Sequence, residues 1–473
     1  MANNIIAQQN AVKNNLVLTF NHSFGDSLIA PPDVSMVVGD STDPATIYGV
    51  AIDMFENNKP LADTSIILKA TSSNISVLSD NNIFITQNAG TLIVKIKPYG
   101  IGYTTVTLNV IDKNSSKNID INYAVSQAGF LSTSTTCWHT GNADASAAIA
   151  LDSNYMIIGD DEMNRLVVHH RHQSGLPVAV FDYSDLLNLS DGEPGNFKEV
   201  DVEAAAKSLR SNTIYWLGSM SNNSSYKLKL NRDRIFATKI NGTGASTNIS
   251  FAGYFQGLRN QIIDWGNKYG YKLSASAASG QNAKAIDGFN AEGMVFGPDS
   301  NTLYIGMRAP LVPLTDRKNA LIVPVQNFEN WFNSGKPLSR AAFGTPIELD
   351  LGGRGIRDMI RLSNGVYIIV AGSCTDQSSS LGAFFKWTGN ANDSAMILNT
   401  FDISNLGAEG VMEMDDEKGE LITDELQTVT DDGNDVYYGD TIKAKDLPDN
   451  KLKKFHSDIP VSSLPVLTFD TRK

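Results

Sequence analysis

Asp201-Val202-Glu203-Ala204, Ala291-Glu292-Gly293-Met294, Gly355-Ile356-Arg357-Asp358-Met359 and Ala408-Glu409-Gly410-Val411 are four versions of one phrase, a charged residue set in a short run of apolar or small residues. Each is followed by a β-prone stretch: Ile214-Tyr215-Trp216-Leu217-Gly218, Leu303-Tyr304-Ile305-Gly306, Val366-Tyr367-Ile368-Ile369-Val370 and Glu420-Leu421-Ile422-Thr423-Asp424. A charge inside an apolar string is costly unless something neutralises it. Strand pairs that each open on such a charge are what a β-propeller would use to line its axis. The phrase therefore predicts an all-β, propeller-type fold and marks where its chemistry should lie.

The spacing sets the number of repeats. With Asp161 as a first member, the charges stand at 161, 203, 292, 357 and 409. Propeller blades take roughly 40–50 residues each, so residues 130–460 have room for about six, with five or seven as alternatives. The long step from 203 to 292 contains Leu258-Arg259-Asn260-Gln261-Ile262-Ile263-Asp264-Trp265. Its apolar residues at 258, 262 and 265 have helical spacing and predict a helical insertion. Asp191-Gly192, Gly195-Asn196 and Asp431-Asp432-Gly433 are turn signals between strands. Ile322-Val323-Pro324-Val325 reads as a strand whose proline belongs at an edge.

The N-terminal part has a different texture. Residues 1–28 read as an extended lead-in, with one strand at Leu16-Val17-Leu18-Thr19-Phe20. From 29 to 126, short β-prone runs are separated by turn residues, as in a sandwich. In Thr105-Val106-Thr107-Leu108-Asn109-Val110 the apolar residues alternate with polar ones, the period of a half-buried strand. The segment Pro98-Tyr99-Gly100-Ile101-Gly102-Tyr103, followed by that strand and Asp112, resembles the last hairpin of bacterial immunoglobulin-like domains. Residues 461–473 read as a C-terminal tail.

Composition removes several function classes. The 473 residues carry a formal charge of −13, which disfavours a nucleic-acid partner and suits a cation. No apolar run approaches the roughly 18 residues of a membrane span. The first residues lack the basic and apolar regions of a signal peptide. Cys137 and Cys374 read as small buried residues rather than a disulfide framework. There is no HExxH, GxSxG or P-loop. His169-His170-Arg171-His172 reads as a polar strand edge rather than a metal site.

The remaining chemistry is ionic. Carboxylates brought to one axis repel unless a cation or an arginine intervenes. Asp161, Glu162, Asp201, Glu203, Glu292, Asp358, Glu409 and Asp432 are the candidate metal ligands, and mixed oxygen ligands suit Ca²⁺. Glu203, Glu292, Arg308, Arg357 and Glu409 are the candidate catalytic residues. Arginine forks suit phosphate or carboxylate.

Several strings, taken in order, carry a resemblance over residues 135–455. They include Gly159-Asp160-Asp161-Glu162-Met163-Asn164, Trp216-Leu217-Gly218-Ser219, Asn231-Arg232-Asp233-Arg234 and Leu303-Tyr304-Ile305-Gly306-Met307-Arg308-Ala309-Pro310. Gly352-Gly353-Arg354-Gly355-Ile356-Arg357, Phe385-Lys386-Trp387-Thr388-Gly389 and Glu409-Gly410-Val411 complete the set. Together they resemble a bacterial family of unknown function related to the phytase-like ("esterase-like activity of phytase") propellers. The resemblance implies an extracellular or periplasmic propeller with a charged axial site. Three readings follow. One is a calcium-dependent phosphoester hydrolase. Another is a non-catalytic module binding a glycan, a small anion or a protein, including a phage- or particle-borne surface protein. The third is a purely structural set of charges that staple neighbouring blades.

Overall fold

The computed structural model describes residues 16–20, 33–40, 43–56, 59–61, 66–88, 90–112, 115–127, 136–190, 196–332, 340–375, 382–399, 403, 406–415 and 421–460. The proposed tail at 461–473, most of the lead-in and the turn residues Asp191, Gly192 and Gly195 lie outside them. The chain forms two compact units. One comprises residues 1–128 with 437–440, and the other comprises 129–436 with 441–473.

The first unit is a two-sheet sandwich. One sheet has the order β1 (Leu16–Phe20), β3 (Val50–Glu56), β7 (Thr91–Ile96), β6 (Ile83–Asn88), with β4 (Lys59–Pro60) also on β3. The other runs β2 (Asp33–Val37), β9 (Ser115–Ser126), β8 (Gly102–Asp112), β5 (Ile67–Ser72), with β2 parallel to β9. Alternation decides which face is inside. Val106, Leu108 and Val110 of β8 join Ile52, Met54, Leu92 and Val94 of the opposite sheet in one core. On the outer face, Thr105 donates to Asn122 at 2.9 Å and Thr107 to Asp120 at 2.7 Å, cross-strand pairs fixed by the register.

The second unit is built from antiparallel sheets, five among the described residues. The first is β11 (Ala145–Ala150), β12 (Tyr155–Asp160), β13 (Arg165–His170), β14 (Ala179–Asp182). Next comes β15 (Val202–Lys207), β16 (Thr213–Gly218), β17 (Ile235–Asn241), β18 (Asn248–Phe255). The third is β19 (Asn290–Phe296), β20 (Leu303–Ala309), β21 (Asn319–Gln326), then β22 (Ala342–Phe343) and β23 (Ile347–Asp350), both on β21. The fourth is β24 (Gly355–Arg361), β25 (Tyr367–Gly372), β26 (Ala383–Trp387), β27 (Met396–Ile397). The last joins β28 (Ala408–Asp415), β29 (Leu421–Thr430) and β30 (Lys454–Asp458) to β10 (Thr136–Thr140), a strand from the other end of the unit.

The first strands of the five sheets touch in a closed cycle, β11 to β15 to β19 to β24 to β28 and back to β11. Apolar clusters fill the gaps between successive sheets around this cycle. Among the described residues this is a propeller-like ring of five sheets, where the spacing favoured six and left five or seven open. The long step from 203 to 292 holds one sheet plus the helix Leu258–Lys268, whose Leu258, Ile262 and Trp265 enter the core. Pro324 is not at a sheet edge as expected. It lies in β21 between the residues that pair with β22 and those that pair with β23, so its missing N–H falls where the outer strand is interrupted. Cys137 and Cys374 are both buried, and neither is in a disulfide.

Small residues let the inner strands converge. A Cβ on Gly306 would lie 2.7 Å from Ile356 Cγ2 and 2.9 Å from Met359 Cε on the next sheet. Gly306→Val is therefore expected to cost about 1–3 kcal/mol through overpacking. The check is the urea unfolding midpoint, and a midpoint equal to the parent's would contradict this packing.

Candidate functional site

Each inner strand carries a register shift near its start, and β19 and β28 carry a second one. The register slips between Ala145 and Ala147, Val202 and Ala204, Ala291 and Gly293, Ile356 and Asp358, and Ala408 and Gly410. The residues at these slips are Ser146, Glu203, Glu292, Arg357 and Glu409. A bulge turns one side chain out of the regular alternation. All five of these residues line a single cavity of about 530 Å³, together with Asp161, Lys284, Arg308 and Asp431.

This corrects the series read from the sequence. The first member is Ser146, in Asp144-Ala145-Ser146-Ala147-Ala148, and not Asp161, which follows β12. A search for charge in small-residue runs passes over a serine. Its position two residues after Asp144, matching Glu203 after Asp201, was the available signal. Lys284 was also missed. It stands in the segment between the helix and β19, held by Asn222 Nδ2 donating to Ala278 O at 2.7 Å and Gln281 O at 3.0 Å.

Other expected ligands point elsewhere. Asp358 is buried and accepts from the backbone N–H groups of Met359 (2.8 Å) and Val411 (2.9 Å), so it ties β24 to β28. Glu162 pairs with Lys445 at 2.8 Å. Asp432 meets His456 Nδ1 at 2.5 Å, and His456 Nε2 lies 3.1 Å from Asp458. Burial opposes a charge on His456, but the two aspartates outweigh it and raise its pKa to about 10. None of these three expected ligands lines the cavity. His169 is buried against His139, and His172 contacts Ser153 O at 3.0 Å. No histidine joins a metal-type cluster among the described residues.

The cavity has two electrostatic halves. On one side Glu292 Oε1 accepts from Arg308 at 2.9 Å, and Glu292 Oε2 lies 3.2 Å from Arg357. Arg357 in turn donates to Glu409. Burial pushes the Glu292 carboxyl up, yet the two arginines hold it below its ordinary value. On the other side acids face acids. Burial, then Glu292 and Asp201, push Glu203 well above the carboxylate range. Asp161 is raised by burial and by Asp431 and Glu203, and its Oδ1 is buried without a hydrogen-bond partner. Asp201 is pushed up to about 6 by burial despite Arg232 at 2.8 Å. Asp144 reaches about 9 through burial, Asp160 and Asp431. One carboxylate oxygen from each of Asp161, Asp201 and Glu203 lies within 4.8 Å of the others, and the same holds for Asp144, Asp160 and Asp161.

Residues 282–435 match a protein family of unknown function, DUF3616. That stretch holds Glu292, Arg308, Arg357, Glu409 and Asp431. No curated protein matches the chain. Among solved structures, virginiamycin B lyase from Staphylococcus aureus is similar at 8% identity and a TM-score of 0.26, over 84% of this chain and 100% of that one. A quinoprotein alcohol dehydrogenase-like protein from Bacteroides thetaiotaomicron is similar at 11% identity and a TM-score of 0.25, over 96% and 99%. A GH43 protein from Bacillus licheniformis is similar at 10% identity and a TM-score of 0.31, over 71% and 61%. Among the described residues no helix is long and apolar enough to cross a membrane.

The raised acids give a pH signature. A folded carboxyl with a raised pKa keeps its proton while the unfolded one loses it, so stability falls as pH rises between the two values. For Asp144 that window runs from its unfolded value of 3.8 to about 9. Asp144→Asn is expected to gain stability relative to the parent as pH goes from 5 to 9 in metal-free buffer. Melting temperatures of both proteins across that range test this, and a constant difference would exclude it.

Proposed function

We propose that the axial cavity is the active site of a divalent-cation-dependent hydrolase acting on a small anionic ester. A phosphoester is the favoured substrate class and calcium the favoured ion. One observation carries the reading: the carboxylates of Asp161 and Glu203 line a cavity with Arg308 and Arg357, and an oxygen of Asp201 lies within 4.8 Å of both. The donor set fits the ion. Three hard carboxylate oxygens within reach of one another suit Ca²⁺, and the unpartnered Asp161 Oδ1 marks a missing positive charge. When bound, such an ion supplies Lewis-acid polarisation of an ester oxygen or of water.

The chain's own residues supply binding and orientation. Arg357 lines the cavity and presents planar N–H donors suited to a phosphate or carboxylate. Glu292 and Glu409 fix its position from the two neighbouring strands, which preorganises it for an anionic group. Lys284 adds a further positive charge to the wall. We read the first unit as an immunoglobulin-like spacer and the protein as exported or surface-borne, in keeping with the phytase-like resemblance.

A second reading is favoured by the ion-pair run Arg308–Glu292–Arg357–Glu409, in which each charge already has a partner. This suits a binding module for a glycan or small anion whose axial charges also hold the sheets together.

Calorimetry with Ca²⁺ on the full chain is the deciding measurement. Saturable binding is expected, weakened at least about tenfold, or ~1.4 kcal/mol, in Glu203→Gln. Calcium-dependent phosphate release from a panel of phosphomonoesters is expected to vanish in Glu292→Ala. Calcium binding without turnover would favour the binding module, and absence of both would remove the hydrolase reading.

A further inference from the structure

The ring has a second mouth. The far ends of the same five inner strands enclose a cavity of about 470 Å³, which shares no lining residue with the charged one. Its apolar wall includes the partly exposed Ile149, Leu151 and Ile360 and the exposed Leu209, while Met294, Phe296, Met359 and Met412 are buried. Four charged side chains also line it: Asp152, Lys207, Arg361 and Glu413.

The order of strands around the ring sorts these charges. Glu413 follows from β28 and Asp152 from the end of β11, and these strands are neighbours. Lys207 ends β15 and Arg361 ends β24, and these flank β19, which contributes Phe296. The rim is thus acidic at β28 and β11 and basic at β15 and β24.

Most of these charges are held in place. Asp152 Oδ1 accepts from the N–H groups of Asn154 and Tyr155, both at 2.8 Å. Glu413 Oε1 accepts from Ser363 N and Oγ, both at 2.9 Å. Arg361 Nη1 donates to Ser300 Oγ at 3.2 Å, and its guanidinium lies 5.9 Å from the Tyr367 ring centre. Lys207 is exposed at the rim. Fixed, opposed charges around an apolar wall lower the ordering cost of binding a complementary ligand.

We propose that this mouth binds a small zwitterion with an apolar body, of the class of a short hydrophobic peptide with free ends. The ammonium group faces Asp152 and Glu413, the carboxylate faces Lys207 and Arg361, and the apolar side chains pack on the wall. The volume falls in the range of small-ligand sites, roughly 300–1,000 Å³. A simple anion or a simple hydrocarbon would use only part of the rim.

The test is calorimetry on the full chain with the dipeptide Leu-Leu, its N-acetylated form, its C-terminal amide and decanoate. Saturable 1:1 binding of Leu-Leu is expected, at least about tenfold weaker for each blocked peptide and for decanoate. Lys207→Glu is expected to weaken Leu-Leu binding by a similar factor without changing Ca²⁺ binding or the melting temperature. No saturable binding of Leu-Leu would overturn the proposal. So would equal binding of the blocked peptides or decanoate, or Leu-Leu binding unaffected by Lys207→Glu. Because the two cavities are disjoint, a null result with calcium leaves this test intact.

Discussion

Five strand starts meet at one axis, and the space there admits little side-chain bulk and little unbalanced charge. Both restrictions show in the inner strands. Glycine and alanine occupy the positions of closest approach, while a bulge near the start of each strand directs one polar residue inward. Water-poor surroundings strengthen every ionic contact and penalise every missing one. The Arg308–Glu292–Arg357–Glu409 run is what makes three neighbouring bulges compatible with one another. Around Asp161, Glu203 and the Arg232-paired Asp201, the same crowding leaves carboxyls raised above their ordinary range. The raised carboxyls of the site and the tightness of the ring share this origin.

Much of this was legible in the sequence because the phrase around residues 203, 292, 357 and 409 states both halves of the problem. Small residues announce a crowded axis, and a charge among them announces a bulge. What the sequence concealed follows from the same physics. Ser146 fills the fifth bulge without a charge, so a search keyed on charge moved the first member to Asp161. Asp358, one residue beyond Arg357, falls back into the regular alternation and is spent on backbone N–H groups of its own and the next strand. Spacing left five, six or seven sheets open because a stretch as long as 203 to 292 can hold two sheets or, as here, one sheet with a helix and the segment carrying Lys284. Side-chain type can be read one residue at a time, but partners such as Arg232 for Asp201 or His456 for Asp432 depend on where distant strands come to rest.

The two ends of the ring illustrate how one set of strands can present different chemistry. Near their starts the bulges project polar groups toward the axis. Farther along, the regular alternation resumes and apolar residues dominate, with charges only where the strands run out into turns. A β-strand repeats every two residues, so a single slip changes which faces its side chains occupy. That slip separates the ionic cavity from the largely apolar one.

The sheet that closes the ring has a temporal consequence. β10 pairs with β30, joining Thr136 to Asp458 across 322 residues of chain. During synthesis the four preceding sheets can form in order, yet the fifth lacks a strand until almost the whole unit has been made. Until then β10 has an unpaired edge and the gap between β11 and β28 stays open. Such edges invite association with other chains. The long wait for a distant partner also slows folding, since loop closure must precede the contacts that reward it. A nascent chain stalled before residue 454 would therefore lack the strand that joins β10 to β29.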